Sequence, residues 1–170
     1  RERKNNILTT SNMPLHLIHT FFGFIAMIFY FYSFALMPLA EATTLSFTAP
    51  LFVALLSAPL LKEHVSNYSW LAITFGFLGV LITIQPGTAV FQPNSWLAMC
   101  ASIFCAFALI ILRKLGKKEN IIVISFYYAL FSTLLLIPIL PFFWVSPTIL
   151  DLLMLVLIGV GGGVEQLLAT

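Results

Sequence analysis

Arg113-Lys114-Leu115-Gly116-Lys117-Lys118 places four of the chain's eight basic residues between two apolar stretches, at about 95–112 and 121–143. Outward from this cluster, Lys62 follows an earlier apolar stretch, and Arg1, Arg3 and Lys4 precede the first one. Along six apolar stretches, the successive connections carry three, no, one, no, four and no basic residues. A chain threaded six times through a bilayer, with its basic loops held in the cytoplasm, distributes charge in this way. The expected fold is therefore all-α, a polytopic membrane bundle of six helices with residues 1–13, 62–67 and 113–120 cytoplasmic.

Composition supports the same solvent. Apolar residues make up 61% of the 170 and charged residues 8%, and the mean hydropathy is +1.05. Too few polar side chains remain to coat a water-soluble globule of this size. A net charge of +2 gives no footprint for nucleic acid, and the basic residues are better explained as topology determinants. Each crossing needs about 20 apolar residues, or somewhat fewer where flanking side chains snorkel. The expected crossings are 14–37, 42–61, 68–84, 95–112, 121–143 and 148–170. Pro14 suits a first helical turn, Ser66 or Asn67 and Asn120 are candidate caps, and Thr148 with Asp151 fits a capping box. Gln85-Pro86-Gly87 is expected to stop the third helix. The chain opens on Arg1 and its last apolar stretch runs to Thr170, so a piece of a longer protein is expected.

Enzyme signatures are missing from the sequence. It contains no Gly-x-Ser-x-Gly, no His-Glu-x-x-His and no phosphate-binding loop ending in Lys-Ser or Lys-Thr. Gly159 and Gly163, the set Ala98, Ser102 and Ala106, and the set Ala72, Gly76 and Gly79 read as small-residue packing seams. Cys100 and Cys105 lie five apart on one helix, a rise of roughly 7.5 Å that exceeds disulfide reach. His16 and His19 share a helix face, but no carboxylate or thiol completes a metal site, and an interfacial histidine is cheap. No metal or cofactor is expected.

Polar residues within the apolar stretches carry the functional reading. Glu41, Thr44 and Thr48 recur at spacings of three and four, a stripe that would be costly against lipid and is expected to face a protein interior or a solute path. Pro50 removes an amide and frees the carbonyl of Ser46, predicting a kink within the membrane. Glu165 stands about 21 Å along the last helix from Asp151, still inside a hydrocarbon layer of roughly 30 Å. A carboxylate there demands a partner, a proton or water. Tyr30, Tyr32, Tyr127 and Tyr128 offer aromatic faces suited to a cationic or aromatic solute, or anchors at the interface.

The stretch Ala35-Leu36-Met37-Pro38-Leu39-Ala40-Glu41-Ala42-Thr43-Thr44-Leu45, with Pro50, Phe52 and Glu63, resembles the EamA type of the drug/metabolite transporter superfamily. Gly76, Gly79, Val80 and Leu81, and then Arg113-Lys114, continue the resemblance, which covers the chain from Leu15 onward. It implies ten helices in two inverted five-helix repeats around a central cavity. Residues 14–85 would then be the last three helices of the first repeat, 86–94 an external loop, and 95–170 the first three helices of the second repeat. Some details resemble a branch associated with S-adenosylmethionine uptake in intracellular bacteria.

The resulting expectation is a secondary transporter in the cell (inner) membrane that moves a small metabolite, such as an amino acid, a nucleoside or S-adenosylmethionine, by alternating access. Tyr30, Glu41, Thr44, Thr48, Pro50, Tyr127 and Glu165 are the candidate pathway residues. The expected partners are a small-molecule solute and the lipid bilayer, and pairing of two copies stays open. An intramembrane lipid-modifying enzyme and a non-transporting scaffold are the alternatives.

Overall fold

A computed structural model describes residues 9–61, 66–85 and 93–168. Among them are seven α-helices and one short 3-10 helix, with no strand. Three segments are long and apolar enough to cross a membrane: Met13–Leu36, Leu39–Ser57 and Ser95–Gly116. Three shorter apolar helices accompany them, at Asn67–Thr83, Ile121–Leu136 and Ile149–Val164. At 1.5 Å per residue, 16 residues rise about 24 Å, at the short end of what a crossing needs.

The chain divides into two compact units, one spanning Asn12–Lys118 and the other running from Glu119 onward with the described residues before Asn12. In the first unit, α1 (Met13–Leu36) starts with proline in its first turn and ends at Met37, whose backbone is extended at φ −147°, ψ 161°. Pro38 follows Met37, and a residue before proline is driven out of the helical region. The Pro38 carbonyl then accepts the amides of Glu41 at 3.0 Å and Ala42 at 3.1 Å, opening α2 (Leu39–Ser46). The second crossing therefore begins earlier than the expected residue 42.

That crossing is also broken. After α2 the chain turns at Phe47 and Thr48 and resumes as α3 (Ala49–Leu61). The Phe47 amide is shared between the Thr43 carbonyl at 3.3 Å and the Thr44 carbonyl at 3.2 Å, and the Thr48 amide bonds the Leu45 carbonyl at 3.0 Å. The turn has tightened because Pro50 has no amide to give Ser46. The kink expected from Pro50 is thus an interruption of the helix.

Helix α4 (Asn67–Ile84) is capped by Ser66, whose hydroxyl accepts the Ser69 amide at 3.2 Å. It ends on Gln85 in the left-handed region, with φ 46°. Helix α5 (Ser95–Gly116) extends past the expected end at residue 112. Arg113 and Lys114 fill its last turn, where cations complement the helix dipole.

The main neighbour of α1 is α5 rather than the helix that follows it, and α5 also packs on α2 and α3. Its buried face carries Ala98, Ala101, Ser102, Ala106 and Ala108. In a membrane, close backbone approach and van der Waals contact replace the hydrophobic drive between helices, and small residues permit that approach. Ala98 lies in a cluster with Met37, Ala42 and Leu45, and Ala106 in one with Phe52, Val53 and Ile110.

The seam on α4 differs from expectation. On α4 the packed face is Ile73 and Gly76, whereas Ala72 and Gly79 are exposed. A Cβ placed on Gly76 would meet the Leu51 side chain at 2.5 Å, and one on Gly79 would meet nothing within 4 Å. Gly159 and Gly163 likewise meet nothing within 4 Å among the described residues.

In the second unit, Asn120 caps α6 (Ile121–Leu136), its side chain accepting the Ile122 amide at 3.0 Å. The helix stops well short of the expected residue 143. Pro138 and Pro141 lack amides, and the hydrogen bonds tighten to Ile139–Leu136, Phe142–Ile139 and Phe143–Leu140, producing the short 3-10 helix at Leu140–Phe142. The expected capping box then opens α7 (Ile149–Leu168). The Thr148 hydroxyl accepts the Asp151 amide at 3.2 Å, while an Asp151 carboxylate oxygen accepts the Thr148 amide at 2.9 Å.

Candidate functional site

The interrupted segment α2–α3 holds four of the seven candidates: Glu41, Thr44, Thr48 and Pro50. Glu41 is half-buried in the first turn of α2, where a carboxylate is favoured by the helix dipole. Thr44 is exposed, and its hydroxyl donates to the Ala40 carbonyl at 2.7 Å. Thr48 is buried, and its hydroxyl donates to the Leu45 carbonyl at 2.6 Å. Pro50 is exposed in the first turn of α3. The break at Phe47 and Thr48 therefore splits the expected stripe: Glu41 and Thr44 lie on the open side, and Thr48 turns inward as a local cap.

Tyr30, half-buried on α1, sets its ring edge to face with Phe34 at a centroid distance of 4.2 Å. Phe34 in turn packs on the cluster of Met37, Ala42, Leu45 and Ala98, so Tyr30 reaches the buried side of α2 through one intervening ring. Tyr127 belongs to α6 in the other unit, where it stacks on Phe131 at 5.8 Å. Glu165 lies in α7, but its side chain is outside the described residues.

At the interruption, the Ser46 carbonyl freed by Pro50 and the Leu45 carbonyl both come within reach of α5. The Ser102 hydroxyl of α5 lies 3.1 Å from the Leu45 carbonyl oxygen and 3.4 Å from that of Ser46. Sequence reading placed Ser102 in a seam and freed the Ser46 carbonyl, but it did not bring the two together. The signal available was a hydroxyl between two alanines four residues away on either side.

Helix α1 also carries a buried polar row, His16, His19 and Thr20. His19 Nδ1 stands 3.0 Å from the Ala108 carbonyl oxygen. A carbonyl can only accept, so Nδ1 carries the hydrogen. No group of three or more metal-ligating side chains occurs among the described residues.

The EamA-like transporter family pattern matches residues 1–85. The chain is 31% identical over 157 residues to an S-adenosylmethionine uptake transporter of Rickettsia bellii, covering 92% of this chain and 54% of the relative. It is 28% identical over 133 residues to the pseudopaline exporter CntI of Pseudomonas aeruginosa, covering 78% of this chain and 47% of the relative. With human solute carrier family 35 member G1 the identity is 29% over 164 residues, covering 87% and 45%. The chain thus spans about half the length of the curated relatives it matches. No solved structure matches it. The relatives are named as transporters rather than enzymes, in keeping with a multi-pass membrane bundle. From its leading half and the apolar helices that follow, the chain belongs to the EamA-like transporter family.

Proposed function

We propose that the protein of which this chain forms part is a secondary carrier that moves a small metabolite across the cell (inner) membrane by alternating access, with the solute held near the midplane. The observation that carries this reading is the interruption of α2–α3. A membrane helix broken within its span, with a half-buried carboxylate and an exposed hydroxyl on its open side, is how solute sites are built where irregular backbone lines a cavity. Within the 12–118 unit Glu41, Thr44 and Tyr30 would line the path, while Thr48 and Pro50 hold the break in shape; Tyr127 and Glu165 are carried as pathway residues from their place in the sequence alone.

The solute class that fits best is a cationic metabolite with an aromatic ring, of which S-adenosylmethionine is the example carried in a relative's name. A sulfonium centre suits aromatic faces and a carboxylate. On this reading residues 14–85 close the first repeat and 95–170 open the second, with 1–13, 62–67 and 113–120 in the cytoplasm, as the alternating basic connections support.

Flux into proteoliposomes holding the full-length protein tests the proposal against a panel of S-adenosylmethionine, nucleosides and amino acids. Uptake with the solute chemically unchanged is expected. Chemical conversion, or no uptake of any member of the panel, counts against it.

A further inference from the structure

We infer that the Ser102 hydroxyl is a switchable latch on the break between α2 and α3, and that it sets how readily this segment rearranges as the protein alternates between its two faces. The inference rests on the carrier reading above. Ser102 is only 2% exposed. Its single hydroxyl proton is within reach of three carbonyl oxygens, those of Ala98 on its own helix at 3.0 Å, Leu45 at 3.1 Å and Ser46 at 3.4 Å.

A serine in a helix commonly bonds the carbonyl four residues back, which here is Ala98. In an unbroken helix the Leu45 and Ser46 carbonyls would be consumed by amides four residues ahead. The missing amide of Pro50 leaves the Ser46 carbonyl open to a neighbour, while the turn at Phe47 and Thr48 moves the Leu45 carbonyl onto the Thr48 amide at 3.0 Å, still within reach of α5. Ala98 and Ala106, both fully buried, bring α5 close enough to reach them.

One proton supports one strong bond at a time. When it moves from Leu45 to Ala98, the buried donor stays satisfied, so α5 can release the break without stranding a polar group. That gives the contact two settled arrangements.

The acceptor side contains a competitor. The Leu45 carbonyl also receives the Thr48 amide at 3.0 Å and the Thr48 hydroxyl at 2.6 Å. A carbonyl oxygen has two lone pairs, so Ser102 is a third claimant. The Thr48 hydroxyl therefore weakens the cross-helix bond, and Thr48 and Ser102 set the latch in opposite senses.

The test uses the full-length protein in proteoliposomes, with Cys100 and Cys105 replaced by alanine and Phe47→Cys as reporter. Phe47 stands beside the break and is 78% exposed. A membrane-impermeant maleimide added to either side gives an outside-to-inside labelling ratio. Ser102→Ala, which matches the alanines flanking it, is expected to shift this ratio by roughly two- to tenfold. Thr48→Val is expected to shift it by a similar factor in the opposite direction, while Ser102→Thr and Thr48→Ser, which keep the hydroxyls, stay near the parent. A purely structural serine would lower thermal stability without opposed shifts. Ratios that move together, or stay still in variants that unfold at the parent temperature, overturn the latch. Opposed shifts in vesicles that carry no solute leave the latch standing and remove the carrier reading instead.

Discussion

His19 Nδ1 lies 3.0 Å from the carbonyl oxygen of Ala108, fastening α1 to α5 through a buried imidazole at the largest helix contact of the 12–118 unit. Interhelical hydrogen bonds in membranes are individually modest, at about 0.6–1.7 kcal/mol. His19→Ala removes the bond and leaves a cavity, so a loss of about 1–3 kcal/mol is expected. His19→Asn places an amide nitrogen near the position of Nδ1 and should recover most of that loss, while His19→Gln, which extends toward Nε2, should not. Thermal unfolding in detergent measures the order.

Gly76 and Gly79 separate a packed glycine from an open one. Gly76→Ala drives a methyl into the Leu51 side chain, which must swing aside, and a cost of about 1 kcal/mol is expected. Gly79→Ala meets no neighbour and gains helix propensity, so it should be neutral or stabilising by up to about 1 kcal/mol. Unfolding midpoints of the two variants of this chain should fall on opposite sides of the parent, or the parent should coincide with Gly79→Ala alone.

Much of this architecture was readable in advance, and the reasons differ by element. Basic residues and uncharged loops located the apolar helices because charge is expensive in lipid wherever the chain goes. The caps at Ser66, Asn120 and Thr148 were legible because capping is local chemistry. Helix neighbours were not legible: the pairing of α1 with α5 is a long-range contact, and it is what sets the His19 ring against the Ala108 carbonyl. The early end of α6 was written in Pro138 and Pro141, but apolarity alone carried the expected helix through them. At the candidate site, Pro50 announced a disturbance and Ser102 a small polar seam. Their meeting depends on how far the chain turns at Phe47 and Thr48, which residue spacing does not encode.

If solute movement is ion-coupled, the acidic pathway candidates Glu41 and Glu165 are where a proton would be exchanged. In the full-length protein, Glu41→Gln and Glu165→Gln are expected to flatten the dependence of uptake on pH, with at least one lowering the maximal rate by roughly tenfold or more. Uptake kinetics across pH, compared variant by variant, are the check. Curves superimposable on the parent in both would remove proton coupling from the account.

Alternating access is tested most directly by counterflow. Vesicles holding the full-length protein are preloaded with unlabelled S-adenosylmethionine and diluted into a trace of labelled compound, with no ion gradient. A carrier that exposes one site to each face in turn predicts transient accumulation of label above equilibrium. Label that only approaches equilibrium, at a rate indifferent to the preload, would contradict it.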